Sequence, residues 1–218
     1  RKVLVTEDIR NGNGRTIKSR YSTPNRVDKI KEPIQSIFWI MKDDALPPLV
    51  KITDPRLASI LGCTLMTKRS TAENTGAGAN LDALVIEPYA NPFRVYPLVE
   101  DYEKFKALFD KGVDCYIINT GDYLGKKVTK EVSLGVIETV VDGKAHFELF
   151  GGLPGMEYLP VEGYEVPDMN GEYAELIRDR MQFRLDYLKA FNDANPEHQI
   201  PQDALESIKT IERFIDVL

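Results

Sequence analysis

Along this chain, short apolar runs alternate with stripes of helical period, and the changes of period predict the elements. Val3–Ile9 and Thr16–Tyr21 are β-rich and flank Asn11-Gly12-Asn13-Gly14, residues that accept positive φ, so a hairpin is expected there. Ser36–Met41 (SIFWIM) is apolar on both faces and bounded by Pro33 and Pro47-Pro48, the pattern of a buried strand. Asp54-Pro55 supplies a capping carboxylate and a first-turn proline to a helix carrying Leu57, Ile60, Leu61, Thr64 and Leu65. Residues 70–81 (STAENTGAGANL) show no period and read as a loop. Pro97–Lys111 is a helix whose inner face is Tyr102, Phe105, Leu108 and Phe109, closed by Gly112.

Further along, Val113–Ile118 reads as a strand and Asn119–Lys127 as a polar turn. Thr129–Val141 reads as a helix ended by Gly143, and Ala145–Phe150 as a short strand. After the Pro- and Gly-marked stretch Leu153–Pro167, a long helix from Glu172 to Phe191 buries Tyr173, Leu176, Ile177, Met181, Leu185 and Leu188. A last helix aligns Leu205, Ile208, Ile211, Ile215 and Leu218. Strands alternating with helices after an opening hairpin predict the α/β class, a mixed sheet with covering helices.

Composition narrows the function classes. The 218 residues carry a net charge of −6, and a pI near 5.1 argues against a nucleic-acid surface. No apolar run has the length of a membrane helix, so no membrane partner is expected. The chain begins at Arg1 without a signal-peptide pattern, which reads as a fragment of a longer cytoplasmic protein. The densest basic cluster is Arg15, Lys18, Arg20, Arg26, Lys29 and Lys31, read either as a solvated strand and loop or as a wall that meets phosphate. Cys63 and Cys115 are too few for a zinc site and are expected buried and reduced.

Local catalytic chemistry is sparse. There is no G-x-x-x-x-G-K-[ST] loop, and Gly76–Ala79 does not open an apolar helix as a dinucleotide fingerprint would. His146 and His198 lack neighbours at ligand spacing, so each is expected to be structural or exposed. Asp43-Asp44 reads as the polar end of a strand before a Pro-rich turn.

The order of segments says more. A strand leads through Leu46-Pro47-Pro48-Leu49-Val50 to a helix. Then come Thr71-Ala72-Glu73, Pro92-Phe93, Tyr96-Pro97, Asn119-Thr120-Gly121 and Gly125-Lys126-Lys127. With Val3–Asp8 and Arg15–Tyr21 ahead of it, this succession resembles the C-terminal portion of ATP-dependent phosphoenolpyruvate carboxykinase, over roughly residues 3–192, as a distant, uncharacterised bacterial branch.

The resemblance implies a nucleotide-binding domain over 1–195 (hairpin 3–21, α/β body 34–150, covering helix 170–192), followed by a helical extension over 196–218. It implies ATP or a related nucleotide with Mg or Mn. The phosphate-binding loop would lie in an upstream part of the same chain, which is the expected partner. Lys18 or Arg20 would meet the transferred phosphate, and Thr71, Glu73 and Asn74 would border base and ribose. The chain departs from the family where Asn74 replaces an arginine, where Tyr96-Pro97 replaces His-Pro, and where the turn at Asp122–Leu124 is shorter. Those departures favour an alternative, a binding or assembly module that keeps the scaffold without the chemistry. Acting alone, the fragment is expected to be inactive.

Overall fold

The computed structural model describes residues 5–7, 14–16, 29–68, 83–91 and 94–217. In chain order the elements are β1 (Val5–Glu7), β2 (Gly14–Thr16), β3 (Ser36–Met41), β4 (Leu49–Ile52), α1 (Pro55–Cys63), β5 (Met66–Lys68) and β6 (Leu84–Ile86). There follow α2 (Leu98–Phe109), β7 (Asp114–Asn119), β8 (Asp122–Tyr123), β9 (Lys126–Lys127), α3 (Lys130–Val141), β10 (Glu148–Leu149), β11 (Met156–Tyr158), α4 (Gly171–Ala194) and α5 (Gln202–Asp216). The chain divides into two compact units, Arg1–Ile34 with Lys68–Val85, and Gln35–Thr67 with Ile86–Leu218.

In the first unit, β1 and β2 form the expected antiparallel pair, with Val5 opposite Thr16 and Glu7 opposite Gly14. The second strand starts at Gly14, two residues earlier than the β-branched pattern suggested. β5 and β6 pair with each other in a separate ladder.

The second unit is built on a mixed five-stranded sheet in the order β10-β11-β4-β7-β3. β3 runs parallel to β7, Ser36 opposite Asp114 through Met41 opposite Asn119. β4 lies antiparallel to both β7 and β11. The sheet and its helices establish the mixed α/β class. β4 and β11 do not stand out in the sequence, because Leu49–Ile52 is short and follows Pro47-Pro48 directly. Proline is tolerated just ahead of a strand, where no ladder donor is missed.

β3 has the bounds its apolar run predicts but occupies an edge rather than the centre. Trp39 and Met41 face the main core, and the Trp39 indole N–H donates to the Ala58 carbonyl at 3.2 Å. On the opposite face Phe38 stacks on Tyr116, while Ile40 is 59% exposed.

One large core joins β3, β4 and β7 to α1, α4 and α5, and a smaller one holds Leu49, Tyr116, Ile118, Val136 and Leu159 with α3 on the other face. Local sequence explains the helix boundaries. Asp54 caps α1 by accepting from the Arg56 and Leu57 amides, and Thr129 caps α3 by accepting from the Val132 amide. Gly112, at φ +89°, closes the turn after α2. The expected inner face of α4 is buried at Tyr173, Ile177, Met181, Leu185 and Leu188, with Leu176 half-buried. In α5 the predicted stripe Leu205, Ile208, Ile211 and Ile215 is buried in the same main core. Among the described residues no helix is long and apolar enough to cross a membrane.

Candidate site at the carboxyl ends of the parallel strands

In open α/β sheets, ligands settle outside the carboxyl ends of parallel strands. Here β3 and β7 end together at Met41 and Asn119. The loops that follow, 42–48 and 119–125, are bound to each other by buried polar groups. Asn119 is fully buried, and its side-chain amide donates to the carbonyls of Asp43 (2.8 Å), Leu46 (2.6 Å) and Asp122 (2.9 Å). Two amide hydrogens therefore serve three acceptors, and the side-chain oxygen accepts the Gly121 amide at 2.9 Å. The Thr120 amide reaches the Met41 carbonyl at 2.9 Å, and the Leu124 amide reaches that of Asp44 at 3.0 Å.

Helix α4 supplies the charges beneath these loops. Asp43, 1% exposed, accepts from the Ala45 amide and from Arg180 Nε (3.2 Å) with Oδ1, and from Arg184 Nη2 (3.1 Å) with Oδ2. Arg180 Nη2 also bonds Asp44 at 2.6 Å, and Arg184 Nη1 donates to the Thr64 carbonyl. Burial pushes the Arg184 guanidinium down to about 10, against the opposing pull of Asp43. It therefore stays charged at neutral pH, although its Nε finds no partner among the described residues. For Arg180 burial also acts downward, but the Asp44 hydrogen bond and the Asp43 charge outweigh it and raise the pKa. Alongside, the Tyr123 hydroxyl donates to Tyr173, whose own hydroxyl donates to the Ala45 carbonyl at 2.9 Å. Burial raises both phenols, so they act as neutral hydrogen-bonding groups.

The polar turn read at Asn119–Lys127 is a tight hairpin of β8 and β9, with Asp122 opposite Lys127. Leu124 (φ 47°) and Gly125 (φ 79°) both take positive φ, the requirement of a two-residue type I′ turn. Leu124 also lines an open groove of about 770 Å³ with Pro167, Asp168, Asn170, Glu172 and Tyr173. Among its described lining residues the formal charges are the carboxylates of Asp168 and Glu172, which repel phosphate.

Lys18, Arg20, Thr71, Glu73 and Asn74 all lie outside the described residues, as do Gly76–Ala79. Asp43, read as the polar end of a strand, is instead a buried counter-ion. One signal for this lay in α4, where Arg184 falls on the stripe of Ile177 and Leu188, a position that otherwise takes an apolar side chain. Asn119 carried no comparable signal. His146 and His198 are both exposed, and among the described residues no group of His, Cys, Asp and Glu could hold a metal ion.

Both cysteines are buried free thiols, as expected. Burial pushes the Cys63 thiol up to about 12 and raises Cys115 as well, so neither is a thiolate at neutral pH. Native protein at pH 8 should therefore leave both cysteines unlabelled by a thiol-specific disulfide reagent, and urea should expose them together. Prompt labelling of either in the folded state would contradict this burial.

No protein-family model matches this chain, and no curated protein matches it.

Proposed function

We propose that this chain is the C-terminal part of a carboxykinase-like nucleotide-binding domain. In the intact protein that domain binds a nucleoside triphosphate with Mg or Mn and supports phosphoryl transfer. The observation that carries the reading is the junction just described. Two parallel strands end side by side, and their loops are held rigidly by Asn119, Asp43 and Arg184. A preorganised rim at that position suits a ligand that must be held without reorganisation. The junction positions; it does not react, because its carboxylates are already engaged by arginines. By the resemblance alone, Lys18 and Arg20 meet the phosphate and stabilise its equatorial oxygens, and Thr71, Glu73 and Asn74 border base and ribose. The cytoplasmic, phosphotransferase-type assignment belongs to this same reading.

A second reading is a non-catalytic binding or assembly module. It is favoured by the internal satisfaction of the Asp43–Arg180–Arg184 cluster and by the inert, buried thiols. Calorimetric titration of the full-length protein with Mg-ATP separates the two. The double variant Lys18→Ala, Arg20→Ala should weaken binding at least tenfold, since each hydrogen bond to a charged group is worth about 1.5–3 kcal/mol. Unchanged affinity in the double variant would remove the assigned roles, and absence of any binding by the parent protein would leave the module reading in front.

A further inference from the structure

Lys42 is the first residue beyond β3, at the carboxyl end of the parallel pair. Its backbone is tied down by its amide, which donates to the Met66 carbonyl at 3.1 Å. Its Cα and Cβ lie close against the next loop: a Cβ added to Gly121 would come within 3.1 Å of both. Glycine at 121 is what permits that approach. Lys42 is half-buried, yet its ammonium has neither a hydrogen bond nor an ion pair among the described residues. The two neighbouring carboxylates are not free to serve it, because Asp43 is held by Arg180 and Arg184, and Asp44 by Arg180.

A second lysine reaches the same peptide. Lys127 Nζ donates to the carbonyl of Thr120, the residue before Gly121, at 3.2 Å. One bond leaves an ammonium with further donors to offer. Lys126, by contrast, turns to the Gly163 carbonyl and the Tyr164 ring. The Thr120–Gly121 turn thus has the Lys127 ammonium bonded to it and the backbone and Cβ of half-buried Lys42 packed against it.

We propose that Lys42 and Lys127, which both adjoin the Thr120–Gly121 turn, form a phosphate-binding site for the polyphosphate of a nucleotide. A lysine ammonium meets phosphate oxygens as a compact point charge. Partial burial of the Lys42 stem removes much of the freedom such a contact would otherwise cost. The acidic groove beside Leu124 is chemically the wrong place for the same ligand, and Lys42 and Lys127 are not among its lining residues. The nucleoside part of this assignment rests on the function proposed above; the phosphate part does not.

The test titrates the full-length protein with inorganic tripolyphosphate and, separately, with Mg-ATP. Lys42→Gln and Lys127→Gln should each weaken tripolyphosphate binding roughly tenfold. Lys42→Arg should stay within a few-fold of the parent, and affinity should fall as salt rises. Lys130→Gln, an exposed lysine at the start of α3, controls for general charge and should change little. Thermal melts of the Lys42 variants should match the parent, because the ammonium has no partner to lose. Equal losses in Lys42→Gln and Lys130→Gln, or no loss in Lys42→Gln, would overturn the site. If Lys42→Gln leaves Mg-ATP binding intact while the Lys18, Arg20 double variant loses it, the site falls and the nucleotide reading stands. Tripolyphosphate binding that depends on Lys42 without any ATP binding supports the site and removes the nucleotide. No binding of either probe by the parent overturns both.

Discussion

Asp43→Ala is expected to lower the free energy of unfolding by about 3–5 kcal/mol, the range for removing one partner of a buried ion pair. The carboxylate is 1% exposed and lies between two guanidiniums, one of which, Arg184, is fully buried. Without it, Arg184 keeps the Thr64 carbonyl but loses its counter-charge, while Arg180 keeps only Asp44. The double variant Asp43→Ala, Arg184→Met should recover most of the loss, since it removes the stranded charge and fills its volume with an apolar chain. Urea unfolding followed by the fluorescence of Trp39, the only tryptophan and 7% exposed, gives both values. A single variant costing under about 1 kcal/mol, or a double variant no better than the single, would show that this pair is not the anchor described.

The second large effect is expected at Asn119. Asn119→Ala removes four hydrogen bonds and leaves the Asp43 and Leu46 carbonyls and the Gly121 amide without that partner. At about 1 kcal/mol for each of the four lost bonds, with a further penalty for groups left dry, the cost is about 4–6 kcal/mol. Asn119→Asp keeps the shape and should cost more at neutral pH, because the introduced carboxylate faces three carbonyl oxygens where the amide donated. That environment disfavours the charged form, so its folded pKa is raised above the unfolded value of about 3.9. The variant should then gain relative stability as pH falls and lose it as pH rises through the folded pKa. An Asn119→Asp protein more stable than Asn119→Ala at pH 7 would contradict the donor role assigned to the amide.

The helices were legible for a simple reason. Their stripes at Leu57–Leu61, Tyr173–Leu188 and Leu205–Ile215 repeat at the helical period, and capping groups such as Asp54, Thr129 and Gly112 act within a few residues of their targets. β3 was legible as a strand but not as an edge strand. Apolar residues on both faces of Ser36–Met41 suit a central position, and only the pairing partners decide how far Ile40 is covered. β4 and β11 escaped because their few residues gain stability from ladders to β7 and to each other, not from any local preference. The residues proposed for nucleotide contact came from segment order, whereas the Lys42–Gly121 approach has no expression in local sequence at all.

Taken alone, the amino-acid order determined the α/β class, the acidic charge balance, the helices with their capping groups and the burial of both thiols. These depend on period, charge and neighbours a few positions away. Tertiary structure alone decided that Asp43 would meet Arg180 and Arg184 across 137 and 141 positions, and that Asn119 would join two loops separated by more than 70. The physical reason is that a buried charge or amide is stable only where partners converge on it in space, and that convergence is set by sheet order and helix packing.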